Sequence, residues 1–334
     1  MKTSSRDLQF DGLKFILIFL VVLGHLTFKD YGIGVKRLIY SFHMPVFVFL
    51  SGYFTSLSWN KDKQRYWIKK TILIYVIAQF AQCLLKVLIG FASSLMNGSV
   101  FCLSSVLKWS MLTIPGIALW YLVCLVYWRV AFWTIGDKLN DIHLFIVSCI
   151  VAILAGFVPL DYELSFQRAF AFLPFFMLGI VFKKRRLIDE LERFPILYAV
   201  IGFVIGSLVA RMMTPYLPVQ HYQTGKDIVL RLVQTSLGFF MCIMVIRISR
   251  CRFMEVFAKN GSKTLWIYIG HTYLIILGDR VFHYLGVSFN LFTALLIDAV
   301  YCAFFIFLAN QYERLRERRM VVASLQNTDI DCNS

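Results

Sequence analysis

The sequence predicts an all-α polytopic membrane protein with about ten transmembrane helices and both termini in the cytoplasm. Three observations carry that prediction. Apolar residues make up 59% of the 334-residue chain and charged ones only 16%, against about 45–50% and about 25% in soluble domains. The apolar residues gather into runs close to the ~20 residues a helix needs to cross a ~30 Å hydrocarbon core. Lys and Arg fall in short clusters between the runs, where orientation signals sit.

The runs cover approximately residues 13–28, 38–57, 71–95, 117–135, 142–160, 166–182, 195–213, 228–248, 264–279 and 287–309. Of the 34 Lys and Arg residues, 22 lie in the loops and ends on one side of this arrangement. They include Lys2, Arg6, the Lys61–Lys70 cluster, Lys183–Arg186, Arg247–Lys263 and Arg314–Arg319. Only six (Lys29, Lys36, Arg37, Lys108, Lys226 and Arg280) lie on the other. The richer side is read as cytoplasmic, and an even number of spans puts both termini there. Residues 1–310 are expected to form one integral-membrane domain, and the polar segment 311–334 a disordered cytoplasmic tail.

The net charge of +15 does not imply nucleic acid, because the basic residues flank apolar runs as topogenic charges do. The first run carries His25, lacks a small-residue cleavage site and is followed by further spans, so it is not a cleaved signal peptide. The eight cysteines show neither metal-site nor disulfide spacing and read as small buried hydrophobes. No metal is expected.

Charged residues inside apolar runs point to a site, since each costs at least about 2.5 kcal/mol at mid-membrane and so faces a cavity or a partner. Asp11 and Lys14 stand one turn apart on the first run. His25 follows Lys14 by eleven residues, about 20° from its direction at 100° per residue. The three form one stripe, with Asp11 and His25 about 21 Å apart along the axis. On the second run His43 and Pro45 lie near its start, and the short connection makes the two runs antiparallel neighbours. His25 and His43 are therefore expected at matched depth near the outer face, sharing a polar site. Lys86, Arg129 and Arg211 fit snorkelling or interfacial roles; Arg168 and Arg231 fall near outer span ends.

These residues carry a family resemblance. Asp11-x-x-Lys14 with Val21-Val-Leu-Gly-His25, then Phe42-His-Met-Pro-Val-Phe-Val-Phe-Leu-Ser-Gly-Tyr53, resembles the membrane acyltransferase-3 family, nearest its fucose 4-O-acetylase-like branch. Leu119-Trp120-Tyr121-Leu122, Arg168 with Phe175-Phe176-Met-Leu-Gly179, and Gly261 through Tyr268 to His271 agree in order. The resemblance covers roughly residues 6–310 and departs at Arg65-Tyr-Trp-Ile-Lys69-Lys70, where the family often has Arg, and at a missing proline near Ile74–Val76.

The resemblance implies a multi-pass enzyme of the bacterial plasma (inner) membrane. Such an enzyme moves an acetyl group from cytosolic acetyl-CoA, a co-substrate rather than a resident cofactor, to a hydroxyl of a cell-surface or lipid-linked glycan. It implies His25 as general base or transient acyl carrier, with His43 and Asp11 assisting. The donor's phosphates then suit Lys14, Arg65, Lys69 and Lys70. Arg168, Arg231, Tyr53, Trp120 and His271 are candidates for the acceptor or the developing oxyanion. His143, His221 and His283 lie in or near loops. A non-enzymatic transporter or flippase of a glycan precursor would use the same buried charges, but it predicts broken helices at matching places in two halves, and no such repeat is visible. The acceptor, its hydroxyl, the acyl group (acetyl or succinyl) and the oligomeric state are open at this point.

Overall fold

The computed structural model describes residues 7–26, 33–57, 60–106, 108, 110–116, 118–136, 140–159, 163–213, 221–284 and 290–331. Among these residues every regular element is a helix. In chain order they are α1 (Leu8–Leu26), α2 (Ile33–Tyr53), α3 (Lys61–Met96), the single turns α4 (Leu103–Val106) and α5 (Ser110–Thr113), α6 (Trp120–Ile135) and α7 (Asp141–Leu154). Then come α8 (Phe166–Arg185), α9 (Leu187–Arg193), α10 (Ile196–Met212), α11 (Gly225–Ser249), α12 (Thr264–Tyr284) and α13 (Leu291–Asp331). Tighter 3₁₀ turns occupy Ala155–Phe157, Glu163–Ser165 and Arg252–Lys263. Helix α13 continues through the polar residues after Gln311.

Each of the ten apolar runs falls on one of these helices. Among the described residues, six helices are long and apolar enough to cross a membrane, or seven if the α9–α10 pair, bent by 95°, is one span. That is fewer than ten. Helices α6 and α7 are apolar but short, and α12 carries the buried His271 within its length. A run of apolar residues marks membrane depth, but some of its length is used in turns: the run at 142–160 closes in the 3₁₀ turn Ala155–Phe157.

Burial sorts the helices. On α3, Ile72, Leu73, Val76, Ile77 and Phe80 are exposed, a surface that water would penalise and lipid would not. The chain is a multi-pass membrane protein. Helix α1 is the inner element, with Phe10, Leu17 and Val22 buried against α2, α11, α12, α13 and the Arg252–Lys263 turn. Helices α2 and α8 touch backbone to backbone: a Cβ on Gly52 would lie 1.9 Å from the Phe176 carbonyl oxygen, and one on Gly179 2.1 Å from that of Phe49. Only glycine permits this approach, and it locks the orientation of the helix bearing His43. At the start of α1, Arg250 donates to both Asp7 oxygens (3.0 and 2.9 Å) and to Glu192 (2.6 Å). These charge-assisted bonds raise the affinity of the Arg250 guanidinium for its proton against the opposing effect of burial.

Candidate active site

A cavity of about 610 Å³ runs between α1, α2, α6, α8 and α12. One end is basic. Lys14 on α1 lies 3.2 Å from Asp11 and 4.0 Å from the centre of the Phe54 ring. Arg129 on α6 stacks 3.9 Å over Trp67, which packs edge-on against Trp133. Trp67 belongs to the same turns of α3 as Arg65, Lys69 and Lys70, so those three exposed cations stand at this end without lining the cavity. Asp11 is buried here, well away from His25 along α1.

The other end holds imidazoles. His25 lines the cavity, with the His271 ring 5.5 Å and the Tyr40 ring 6.4 Å away, centre to centre; Tyr40 in turn lies 4.9 Å from His43. His43 and His271 are buried, and in each Nδ1 sits 2.7 or 3.1 Å from the carbonyl four residues back, Ile39 or Ile267. A carbonyl only accepts, so each Nδ1 carries the proton and each Nε2 keeps its lone pair. The Nε2 of His271 is buried without a hydrogen-bond partner among the described residues. Arg168 stands 5.2 Å over Trp120, which stacks on Phe172 at 5.5 Å; all three line the cavity.

The wall between the ends is irregular backbone. Ile114, Pro115, Gly116 and Ala118 line the cavity, and their polar groups are met by side chains from neighbouring helices. Gln79 on α3 accepts from the Gly116 amide (2.8 Å) and donates to Ile114 (3.3 Å), while the Tyr268 hydroxyl donates to Ala118. Non-helical chain is tolerated at membrane depth only with such partners. Ser51 and Tyr121 hydrogen-bond to each other beside it.

The structure thus brings Lys14, His25, His43, Arg168 and Trp120 to one cavity and sets His271 directly behind His25. Tyr53 packs instead among Phe10, Phe49 and Phe54, outside the cavity lining. Arg231 is buried on α11, 5.6 Å over Tyr222, and lines a separate small cavity. His143 is exposed, His221 lies 2.8 Å from Gln223, and the His283 side chain falls outside the described residues. Sequence reasoning gave Arg129 a surface role, and it lines the cavity. It also passed over Gln79, and over Asp298, a fully buried carboxyl on α13 that accepts from the Cys302 thiol at 3.4 Å; the signal was a lone acid inside an apolar run. Among the described residues no cluster of His, Cys, Asp or Glu is grouped to hold a metal ion, and the cysteines are free.

The sequence model of the acyltransferase-3 family, described as an acyltransferase domain, matches residues 7–309, nearly the whole chain. The chain belongs to this family. The match contains every element of the cavity, so the protein is a membrane acyltransferase and the cavity is its candidate active site. A search of curated proteins found no match. A search of solved structures found none either.

Proposed function

We propose that this acyltransferase moves an acetyl group from cytosolic acetyl-CoA to a hydroxyl of a cell-surface or lipid-linked glycan, at a bacterial plasma membrane, as enzymes of the fucose 4-O-acetylase-like branch do. One observation carries the proposal: a single cavity joins the basic end at Lys14 and Arg129 to the imidazole end at His25 and His43. Eleven residues of α1 separate Lys14 from His25, about 16 Å along the axis. That distance suits an extended thioester arm between a phosphate-binding mouth and the reacting carbon. The Lys and Arg asymmetry supports a cytoplasmic basic end and cytoplasmic termini. The donor then enters from inside and the glycan from outside, and neither crosses.

Lys14 and Arg129 hold the donor's phosphate-bearing part, with Arg65, Lys69 and Lys70 forming the outer rim of the mouth. A sugar hydroxyl is a poor nucleophile until a base takes its proton, and an imidazole is suited to that at neutral pH. His25 removes the hydroxyl proton, the oxygen attacks the thioester carbonyl carbon, the carbon–sulfur bond breaks, and the imidazolium returns its proton to the leaving thiolate. The products are the acetyl ester and the free thiol. Arg168 faces the oxyanion that forms in between. His43 orients the acceptor hydroxyl through its Nε2 lone pair. His271 stands close behind His25 with its Nε2 lone pair unpartnered among the described residues, available as an acceptor for the N–H that His25 does not use. Asp11 holds Lys14 and takes no part in proton transfer.

Purified protein incubated with radiolabelled acetyl-CoA should release free thiol and label an added glycan fraction, and surface glycans of a deletion strain should lose the mass of an acetyl group per repeat. Release of thiol with a labelled, isolable acetyl-His25 would assign His25 as acyl carrier instead of base. No turnover of acetyl-CoA by folded protein would rule out the donor.

A further inference from the structure

Beside the histidine end lies a second, much smaller cavity of about 50 Å³. It shares the lining residues Tyr40, Ala171 and Phe172 with the main cavity, so the two are neighbours across these side chains. Its polar lining is Arg37, Tyr40, Ser41, Arg231, Gln234 and Thr235, contributed by α2 and α11, and no Asp or Glu is among its lining residues. Arg37 donates through one terminal nitrogen to the Arg211 carbonyl at 2.8 Å. Its Nε is buried and has no hydrogen-bond partner among the described residues.

A buried N–H of a cation without an acceptor is costly to leave unmade. A guanidinium fork matches the two oxygens of a carboxylate or phosphate, and Thr235 adds a hydroxyl donor, while the Ser41 hydroxyl donates to the Leu38 carbonyl at 2.7 Å. The volume admits one such group and nothing as large as a sugar ring, while a sugar in the main cavity would lie alongside.

We infer that this side cavity binds an anionic group of the acceptor, a carboxylate or a phosphate, one sugar's reach from the hydroxyl that is acylated. The inference rests on the acyl transfer proposed above in assigning the group to the acceptor. It makes the substrate an acidic glycan or a phosphate-linked lipid precursor, and a neutral glycan a poor substrate.

Thermal unfolding of the full-length protein in detergent tests this with four probes: glucuronic acid and farnesyl phosphate, with glucose and farnesol as their neutral counterparts. One of the two anions should raise the melting temperature where its neutral counterpart does not, and which one responds identifies the carboxylate or the phosphate source. Arg37→Gln should weaken the apparent affinity for that anion roughly 10–100-fold, and Arg37→Lys should restore part of it. Should Arg37→Gln fail to fold, Thr235→Leu fills the cavity without removing charge and must abolish the shift. Equal shifts by an anion and its neutral counterpart, or a shift that survives these variants, overturn the inference. The shift caused by acetyl-CoA is measured in parallel. Its absence beside an intact anion shift refutes the donor and leaves the side cavity standing.

Discussion

The two ends of the cavity are built from opposite materials. At the basic end the cations are long side chains: Lys14 rests against Phe54, Arg129 stands over Trp67, and Arg65, Lys69 and Lys70 are exposed. At the imidazole end the rings are short, and His43 and His271 are buried, each tied to a carbonyl of its own helix. Flexible cations recognise charge over a range of positions at little geometric cost. Fixed imidazoles hold a proton-transfer geometry and carry little binding energy. The contrast separates recognition from chemistry, so substitutions at the two ends should move different kinetic constants.

The largest effect is expected at His25. His25→Ala should lower acyl transfer by about 10²–10⁴-fold, the usual worth of general-base assistance, with unchanged melting temperature and unchanged apparent affinity for the donor. Isothermal binding and transfer assays on the same preparation check this. If transfer persists at the wild-type rate, the imidazole end is not where chemistry occurs. Next come the rim cations. Replacing Arg65, Lys69 and Lys70 together by Gln should raise the donor KM by about 10-fold or more while kcat and the acceptor KM hold, since hydrogen bonds to charged groups are worth roughly 1.5–3 kcal/mol. The loss should shrink at high salt, where the wild-type rim is itself screened. An equal rise in acceptor KM would erase the proposed division.

His271 sharpens the comparison from behind. His271→Gln keeps an acceptor near His25 and should retain more kcat than His271→Phe, with the same donor KM in both. Nitrogen-15 spectra of labelled histidine should show His43 and His271 as the Nδ1–H form. Equal kcat in the two variants would make His271 a packing residue. The smallest effect is structural. Gly52→Ala presses a methyl group on the Phe176 carbonyl and should destabilise by about 1–3 kcal/mol, read as a lower melting temperature, with the surviving folded protein losing kcat because α2 carries His43.

The α1 stripe and the His25–His43 pairing were legible because they depend on helical period and a short connection, both local. The placement of Trp120 and Arg168 beside them came through the family motifs. His271 behind His25 was legible as a motif residue only, since its approach needs α12 to pack on α1, which lies beyond local pattern. Arg129 was misplaced because a single Arg in an apolar run reads as snorkelling until Trp67 is seen beneath it. The residues Ile114–Gly116 sat between two apolar runs, and Ala118 fell at the start of the second. What makes them cavity wall is Gln79 on a distant helix. The number of spans was the weakest inference, because hydropathy marks depth and the structure uses some apolar residues in turns, bent pairs and short helices.

The central claim is that one cavity carries the acyl arm from the basic end to the histidines. It is tested most directly by locating the donor: a structure of the His25→Ala protein, which binds without turning over, with acetyl-CoA present. The account predicts the phosphates among Lys14, Arg129 and the Arg65–Lys70 rim, the arm running past Ser51 and Tyr121, and the thioester carbon between position 25 and His43. A donor bound outside this cavity, or one whose thioester stops at the basic end, would contradict it.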